Sequence, residues 1–356
     1  MKSIITDKLG IDTAIFGFTT SPEIVAEICR SGGMGVLGTV RKTPEQLDED
    51  LAWLTEHCDR PFGVDIVYPM VEAAPDASAA REILPPEHVA FVAELKERLH
   101  IPDPIDPDRE DLYAGRQLTF QHARELTAIA MKYNTAFLVS ALGVPPQEVI
   151  DEMHRRGGLV GALVGTPAQA KVQAAAGVDV VIATGTEAGG HTGAISTMVL
   201  IPQVVDAVPG TMVLAGGGIG DGRQIAACEI LGAVGVWTGS IWMTAKEALT
   251  PEGVKQRLLD ASSSDTVVTR AYSGRPVRLL NSPWFDAWNE PGAPKPLKAP
   301  LQGTLVHETM IALAEHGTPG LATSPIGQIV GVMNEEEPTA AIMNRLQAQY
   351  RAAKQS

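Results

Sequence analysis

The chain has 356 residues, 45% hydrophobic and 20% charged, which suits a large folded core and excludes a disordered polymer. Its formal net charge of −14 argues against nucleic acid or an anionic membrane as partner. Cys29, Cys58 and Cys228 lack metal-ligand spacing, the N-terminus has no uninterrupted apolar leader, and no apolar run approaches the ~18 residues of a membrane helix. A cytoplasmic protein with buried thiols and no metal is expected.

Strand-like and helix-like runs alternate from the start. Thr13–Phe18 reads as a first strand, and Ser21-Pro22 opens a helix through Arg30 with an N-cap and a proline in the first turn. Gly35–Gly38 is the second strand. Thr43-Pro-Glu-Gln46 then starts a helix with a capping box, and Phe62–Val67 is the third strand. Residues 68–118 break the rhythm with prolines, acids and one helical stretch, Glu87–Leu99; this insertion reads equally as a lid and as a tolerated surface loop.

The rhythm resumes with a helix over Thr119–Tyr133, a strand over Thr135–Ser140, a helix over Pro145–Arg156 and a strand over Leu159–Val164. Thr166-Pro-Ala-Gln169 repeats the earlier helix start. Strands follow over Val178–Ala183, Thr211–Ala215 and Val234–Thr238, with helices over 197–208 and Asp221–Leu231. Eight strands in single file predict an α/β fold of the (β/α)8 TIM-barrel type, residues 1–248; a doubly wound sheet is the alternative, with no visible switch point. Beyond it, Lys246–Asp260 reads as a helix and Thr266–Leu280 as extended. Residues 249–302, with Trp284, Phe285 and Trp288, are expected to form a smaller substrate-side subdomain, and residues 303–356 to be helices packing on the barrel. The two tryptophans suit packing better than a substrate wall.

Chemistry concentrates after the sixth strand, where Gly185-Thr-Glu-Ala-Gly-Gly-His-Thr-Gly193 holds four glycines, one imidazole and one carboxylate. Strand ends of a barrel are where ligands bind, so His191 is the candidate acid or base; a tight turn with a satisfied histidine has the same composition. Strand seven runs into Gly216-Gly-Gly218 and strand eight into Gly239-Ser240. Glycine turns at consecutive barrel strands let backbone amides approach a phosphate, so Gly217, Gly218, Gly239 and Ser240 are the candidate cradle. His57, His100, His122, His154 and His316 lie in charged helical surroundings, and His307 is a weaker candidate for the barrel mouth.

Glu187-Ala-Gly-Gly-His191-Thr-Gly193, Gly217-Gly-Ile219 and Gly239-Ser240 together resemble the nitronate monooxygenases, or 2-nitropropane dioxygenases, over about Ile15 to Met243. Flavin-dependent enoyl-thioester reductases are similar to the same skeleton. The resemblance implies an FMN-dependent barrel with His191 as catalytic base and the four cradle residues on the FMN phosphate. It also implies that Ile15, Phe16, Gly17, Asp65, Thr184, Gly189, Gly190 and Trp237 surround the cofactor. Three positions depart from the family pattern: Asp65 replaces an asparagine, Thr184 stands near the usual glutamine, and Ile15-Phe16 replaces Pro-Met.

The implied reaction is oxidation of a small nitronate or nitroalkane by dioxygen to a carbonyl compound and nitrite. Reduction of an acyl-CoA thioester by NAD(P)H through FMN is the alternative, for which Arg270, Arg275 and Arg278 would suit an anionic substrate. A non-catalytic flavin binder and a phosphosugar-binding barrel without flavin also fit the turns. A homo-oligomer is in keeping with barrels of this size.

Overall fold

A computed structural model of the chain describes residues 1–40, 42–70, 82–105 and 119–355. Its first nine strands are β1 (Ile15–Thr19), β2 (Met34–Gly38), β3 (Phe62–Ile66), β4 (Thr135–Ser140), β5 (Leu159–Val164), β6 (Val180–Thr184), β7 (Gly190–His191), β8 (Met212–Gly216) and β9 (Gly235–Thr238). All but β7 form one closed parallel barrel, sealed where β1 pairs with β9. The (β/α)8 expectation therefore holds, and the doubly wound sheet is excluded.

The near-continuous apolar runs follow from burial on both faces. Phe16, Val36, Phe137, Val139, Val180, Ile182, Leu214 and Trp237 fill the barrel interior. Residues between them, among them Ile15, Val64, Leu138 and Val236, face the helices. At Gly35 a Cβ would lie 2.3 Å from the Val25 carbonyl oxygen, so the helix Pro22–Arg30 seats closely only on glycine. A short helix, Ile4–Leu9, sends Ile5 and Leu9 into the interior cluster. Six residues are too few for a periodic signal, and the sequence reading has no element there.

The two Thr-Pro-x-Gln starts diverge. Thr43 and Gln46 bond each other's backbone amides as a full capping box. Thr166 accepts from the Gln169 amide, but the Gln169 side chain accepts from Gly165 instead. Cys29 and Cys58, distant in sequence, come into side-chain contact, and all three cysteines are free and buried.

A second core gathers beside the barrel. Val92 and Leu95 of the helix Pro86–Arg98 join Trp284, Trp288, Val306 and Leu313. Trp284 and Trp288 meet edge to face at 6.4 Å and Phe91 meets Trp288 at 4.9 Å, which is packing. The helical part of the 68–118 insertion is thus built into this core, while residues 71–81 and 106–118 lie outside those described. The stretch Thr266–Leu280 is two antiparallel strands, β10 (Thr266–Thr269) and β11 (Val277–Leu280), rather than one extended run. The turn between them closes through Gly274 N–H to Arg270 O at 2.8 Å, with Gly274 at φ +81°. The helix expected from Lys246 begins only at Glu252, after Pro251.

The last helix, Thr339–Gln355, lies on the helix Gly222–Ile230, where Tyr350 bonds Glu229. Among the described residues no helix is long and apolar enough to cross a membrane.

Candidate active site

The glycine turns meet at the C-terminal end of the barrel. Gly217 and Gly218 follow β8 with φ of +104° and +67°. A Cβ on Gly217 would stand 2.7 Å from Thr197 Oγ1 and 2.9 Å from the Gly185 nitrogen; one on Gly218 would stand 2.9 Å from Glu187 Cβ. Only glycine fits here, because the loop after β6 presses directly against the loop after β8. Among the described residues the amides of Gly217, Gly218 and Gly239 have no acceptor. Gly218's carbonyl is tied back by Gln224 Nε2 at 2.7 Å. Ser240 Oγ accepts from Gly327 N–H at 2.9 Å, which leaves its own proton free to donate. Unpaired amides and a hydroxyl are a donor set suited to a phosphate.

The motif carboxylate has a different duty. Glu187 accepts from Thr197 N–H at 2.9 Å and Thr197 Oγ1 at 2.8 Å, capping the helix Thr197–Ala207. Its own carbonyl accepts from Gln328 N–H at 2.9 Å. Glu187 thus clasps the motif loop to the barrel and to the segment Ile326–Gln328, for which the sequence reading had no role.

The far end of the motif forms β7, which pairs antiparallel with β11: Val277 opposite His191 and Arg278 opposite Gly190. Arg278 fixes this join, donating to Thr186 O and Thr266 Oγ1, both at 2.8 Å. Arg270 likewise bonds the Gly274 carbonyl. Of the three arginines considered for an anionic substrate, only Arg275 lines the cleft beside His191. Gly165, Thr166, Gln169, Thr192, Gly193 and Pro276 complete that cleft of about 260 Å³.

His191 is exposed at the edge of the cleft, with Ser273 against its Nε2 side. Partial desolvation, with the Arg275 guanidinium nearby, lowers its pKa to about 4. The imidazole is therefore neutral at pH 7. Its Nε2 lies 2.9 Å from Ser273 Oγ, on a buried side chain that also accepts from Arg275 N–H at 3.4 Å. Ser273 and Arg275 sit on the turn between β10 and β11. No motif marks Ser273; only the strand pairing of β7 with β11 brings it to the histidine.

Thr184, Gly216 and Trp237 are the last inward-facing residues of β6, β8 and β9, and Asp65 is that of β3. Phe18 stacks on Trp237 with centroids 5.9 Å apart. Of the other β1 residues, Ile15 faces the helices, Phe16 packs edge-on against Phe137, and Gly17 backs onto Ile28 and Trp242. None of these three turns a side chain to the mouth; Phe18 does. Gly190 has φ +85° with open space where a Cβ would stand, whereas a Cβ on Gly189 would stand 2.7 Å from the Ile326 backbone. Asp65 is buried, its Oδ1 has no partner, and burial raises its pKa to about 8.

His307 is buried in the helix Leu301–His316 and does not line the cleft. His57 stacks on Trp53 and His154 pairs with Asp179. Among the described residues no cluster of three or more His, Cys, Asp or Glu side chains could hold a metal ion.

Residues 1–349 match the family model for nitronate monooxygenase. A Mycobacterium tuberculosis protein, Rv1533, which bears the provisional name of a monooxygenase, is 41% identical over 355 residues, covering 96% of this chain and 95% of that one. A Staphylococcus haemolyticus protein that bears the provisional name of a nitronate monooxygenase is 30% identical over 79% of this chain and 77% of its own length. The crystal structure of a nitroalkane oxidase from Streptomyces ansochromogenes superposes with a TM-score of 0.80 at 27% identity, covering 99% of both chains. The chain belongs to the nitronate monooxygenase family and is a flavin-dependent oxidoreductase.

Proposed function

We propose that this member of the nitronate monooxygenase family binds FMN at its β8 and β9 glycine turns. On this reading it oxidises alkyl nitronates, and less readily nitroalkanes, with dioxygen to a carbonyl compound and nitrite. The observation that carries the proposal is a neutral imidazole fixed by a buried serine beside a cleft-lining guanidinium. The names of the S. haemolyticus relative and the S. ansochromogenes enzyme support it.

The amides of Gly217, Gly218 and Gly239, with Ser240, would hold the phosphate. Thr184, Gly189, Gly190, Trp237 and Phe18 would surround the ring. A bound flavin supplies the electron transfer. The chain's own task is substrate charge and proton. With Ser273 accepting from Nε2–H, the His191 Nδ1 lone pair is free to take the α-proton of a nitroalkane. A base with a pKa of about 4 is weak toward carbon acids, so a substrate that arrives already deprotonated is favoured. Arg275 stabilises the negative charge of that nitronate.

FMN-loaded protein should release nitrite from propyl-1-nitronate under air, and its slower release from 1-nitropropane should fall further in His191→Ala. Inertness to nitronates, with flavin bleaching by NAD(P)H and reoxidation by an enoyl thioester, would make it a thioester reductase instead.

A further inference from the structure

We propose that Asp65 binds the flavin as an uncharged carboxylic acid, donating its proton as a hydrogen bond to an acceptor on the cofactor. The inference rests on the FMN reading above. Asp65 is the last inward-facing residue of β3, in register with Gly38 of β2 and Val139 of β4. Its neighbours Val64 and Ile66 turn outward to the helices. The side chain is 2% exposed, and its Oδ1 is sealed from solvent with no hydrogen-bond partner. A buried polar atom without a partner is costly, so a ligand that supplies one is expected at this place.

The surroundings supply no counter-charge. Gly38 of β2 and Thr39 just after it face it, the latter only through its amide on the Asp65 carbonyl at 3.0 Å. From β4 come Val139 and Ser140, and Ser140 Oγ is bonded to the Gly143 carbonyl. Tyr68 is the titratable neighbour; its hydroxyl bonds Thr127, and burial holds it neutral. Among the described residues no lysine, arginine or histidine forms an ion pair with Asp65. Burial without a cation favours the protonated acid, in line with its raised pKa. A protonated carboxyl offers one donor and one acceptor, much as the amide of asparagine does. Unlike an amide, it loses its donor when pH rises.

The test is FMN titration of apoprotein, followed by flavin fluorescence, from roughly pH 6.5 to 9.5, below ring deprotonation and near or above the second phosphate pKa. Wild type should bind with a steady Kd up to about pH 8 and then weaken towards tenfold per pH unit, the slope of one proton. Asp65→Asn should bind equally at neutral pH and show no such slope; Asp65→Ala should bind weakly throughout. A flat wild-type curve parallel to Asp65→Asn overturns the proposal. Infrared spectra of FMN-loaded wild type give a second reading that needs no folded variant. A protonated carboxyl band should be present at pH 7 and persist to higher pH than in the apoprotein, and a spectrum without it at pH 7 also overturns the proposal. Absence of FMN binding at every pH, with the fold intact by circular dichroism, removes the FMN reading itself.

Discussion

One added methyl group, placed at two glycines, separates what the fold needs from what a bound phosphate needs. At Gly217, φ is +104° and the new Cβ would stand 2.7 Å from Thr197 Oγ1, 2.9 Å from Gly185 N and 3.0 Å from Gly185 O. The backbone of Gly185 cannot yield, since its amide is held by the Gly216 carbonyl at 3.0 Å. A left-handed alanine costs about 1–2 kcal/mol and overpacking about 1–3 kcal/mol. Gly217→Ala should therefore lose roughly 2–5 kcal/mol of stability, and FMN binding with it. At Gly239, φ is −135° and the nearest atoms to a new Cβ are Phe18 Cδ1 at 3.8 Å and Phe18 O at 4.0 Å. The protein has room there, so Gly239→Ala should change stability by less than about 1 kcal/mol. The methyl would crowd a phosphate seated on the neighbouring amides. Loss of one charge-assisted hydrogen bond, about 1.5–3 kcal/mol, corresponds to roughly ten- to a hundredfold in Kd. Urea unfolding of the apoproteins and FMN titration by fluorescence measure the two quantities separately. A stable Gly239→Ala with wild-type FMN affinity would refute the assignment of the cradle.

Three further outcomes follow from the same contacts. The folded-state pKa of Asp65, about 8, lies above its unfolded value of about 4, so between those values the folded chain holds a proton the unfolded chain has lost. Wild-type apoprotein should lose stability as pH rises through that window, by at most about 1.4 kcal/mol per unit from this group. Asp65→Asn should escape a loss on the order of 3–4 kcal/mol between pH 5 and pH 8; identical pH dependence of urea unfolding would contradict this. His191, lowered to about 4, should leave kcat/KM on a nitroalkane without an inflection near 6.5 down to about pH 5, and such an inflection would count against it. Its alanine variant should lose about 10²–10⁴-fold on a nitroalkane. Arg278→Met removes two hydrogen bonds from a buried guanidinium and should cost roughly 2–4 kcal/mol in urea unfolding, while a neutral result would deny it the clasp.

The barrel was readable because its strands are buried on both faces and appear as uniform apolar runs punctuated by helix caps such as Thr43 and Thr166. The glycine turns were readable for the same kind of reason: at Gly217 and Gly218 the backbone itself demands the residue. What surrounds His191 was not. Ser273 and Arg275 stand more than eighty residues further along the chain and reach it only because β7, a two-residue strand with no periodic signal, pairs with β11. Glu187 drew attention as a lone carboxylate in a glycine-rich loop, yet it is a helix cap, which depends on where Thr197 folds back. At β1 the family resemblance points to Ile15–Gly17, whereas strand alternation turns Phe18 to the mouth. The insertion helix gave no sign of its place because its partners, Trp284 and Trp288, lie nearly two hundred residues away in sequence.

The most direct test of the account mixes FMN-loaded protein with propyl-1-nitronate without oxygen and follows the visible flavin band, then admits air and assays nitrite. Rapid bleaching by the nitronate, return of the band with air and nitrite release, with the nitronate reaction spared and 1-nitropropane oxidation lost in His191→Ala, are the predicted result. A flavin untouched by nitronate but bleached at once by NADPH would contradict the proposed reaction.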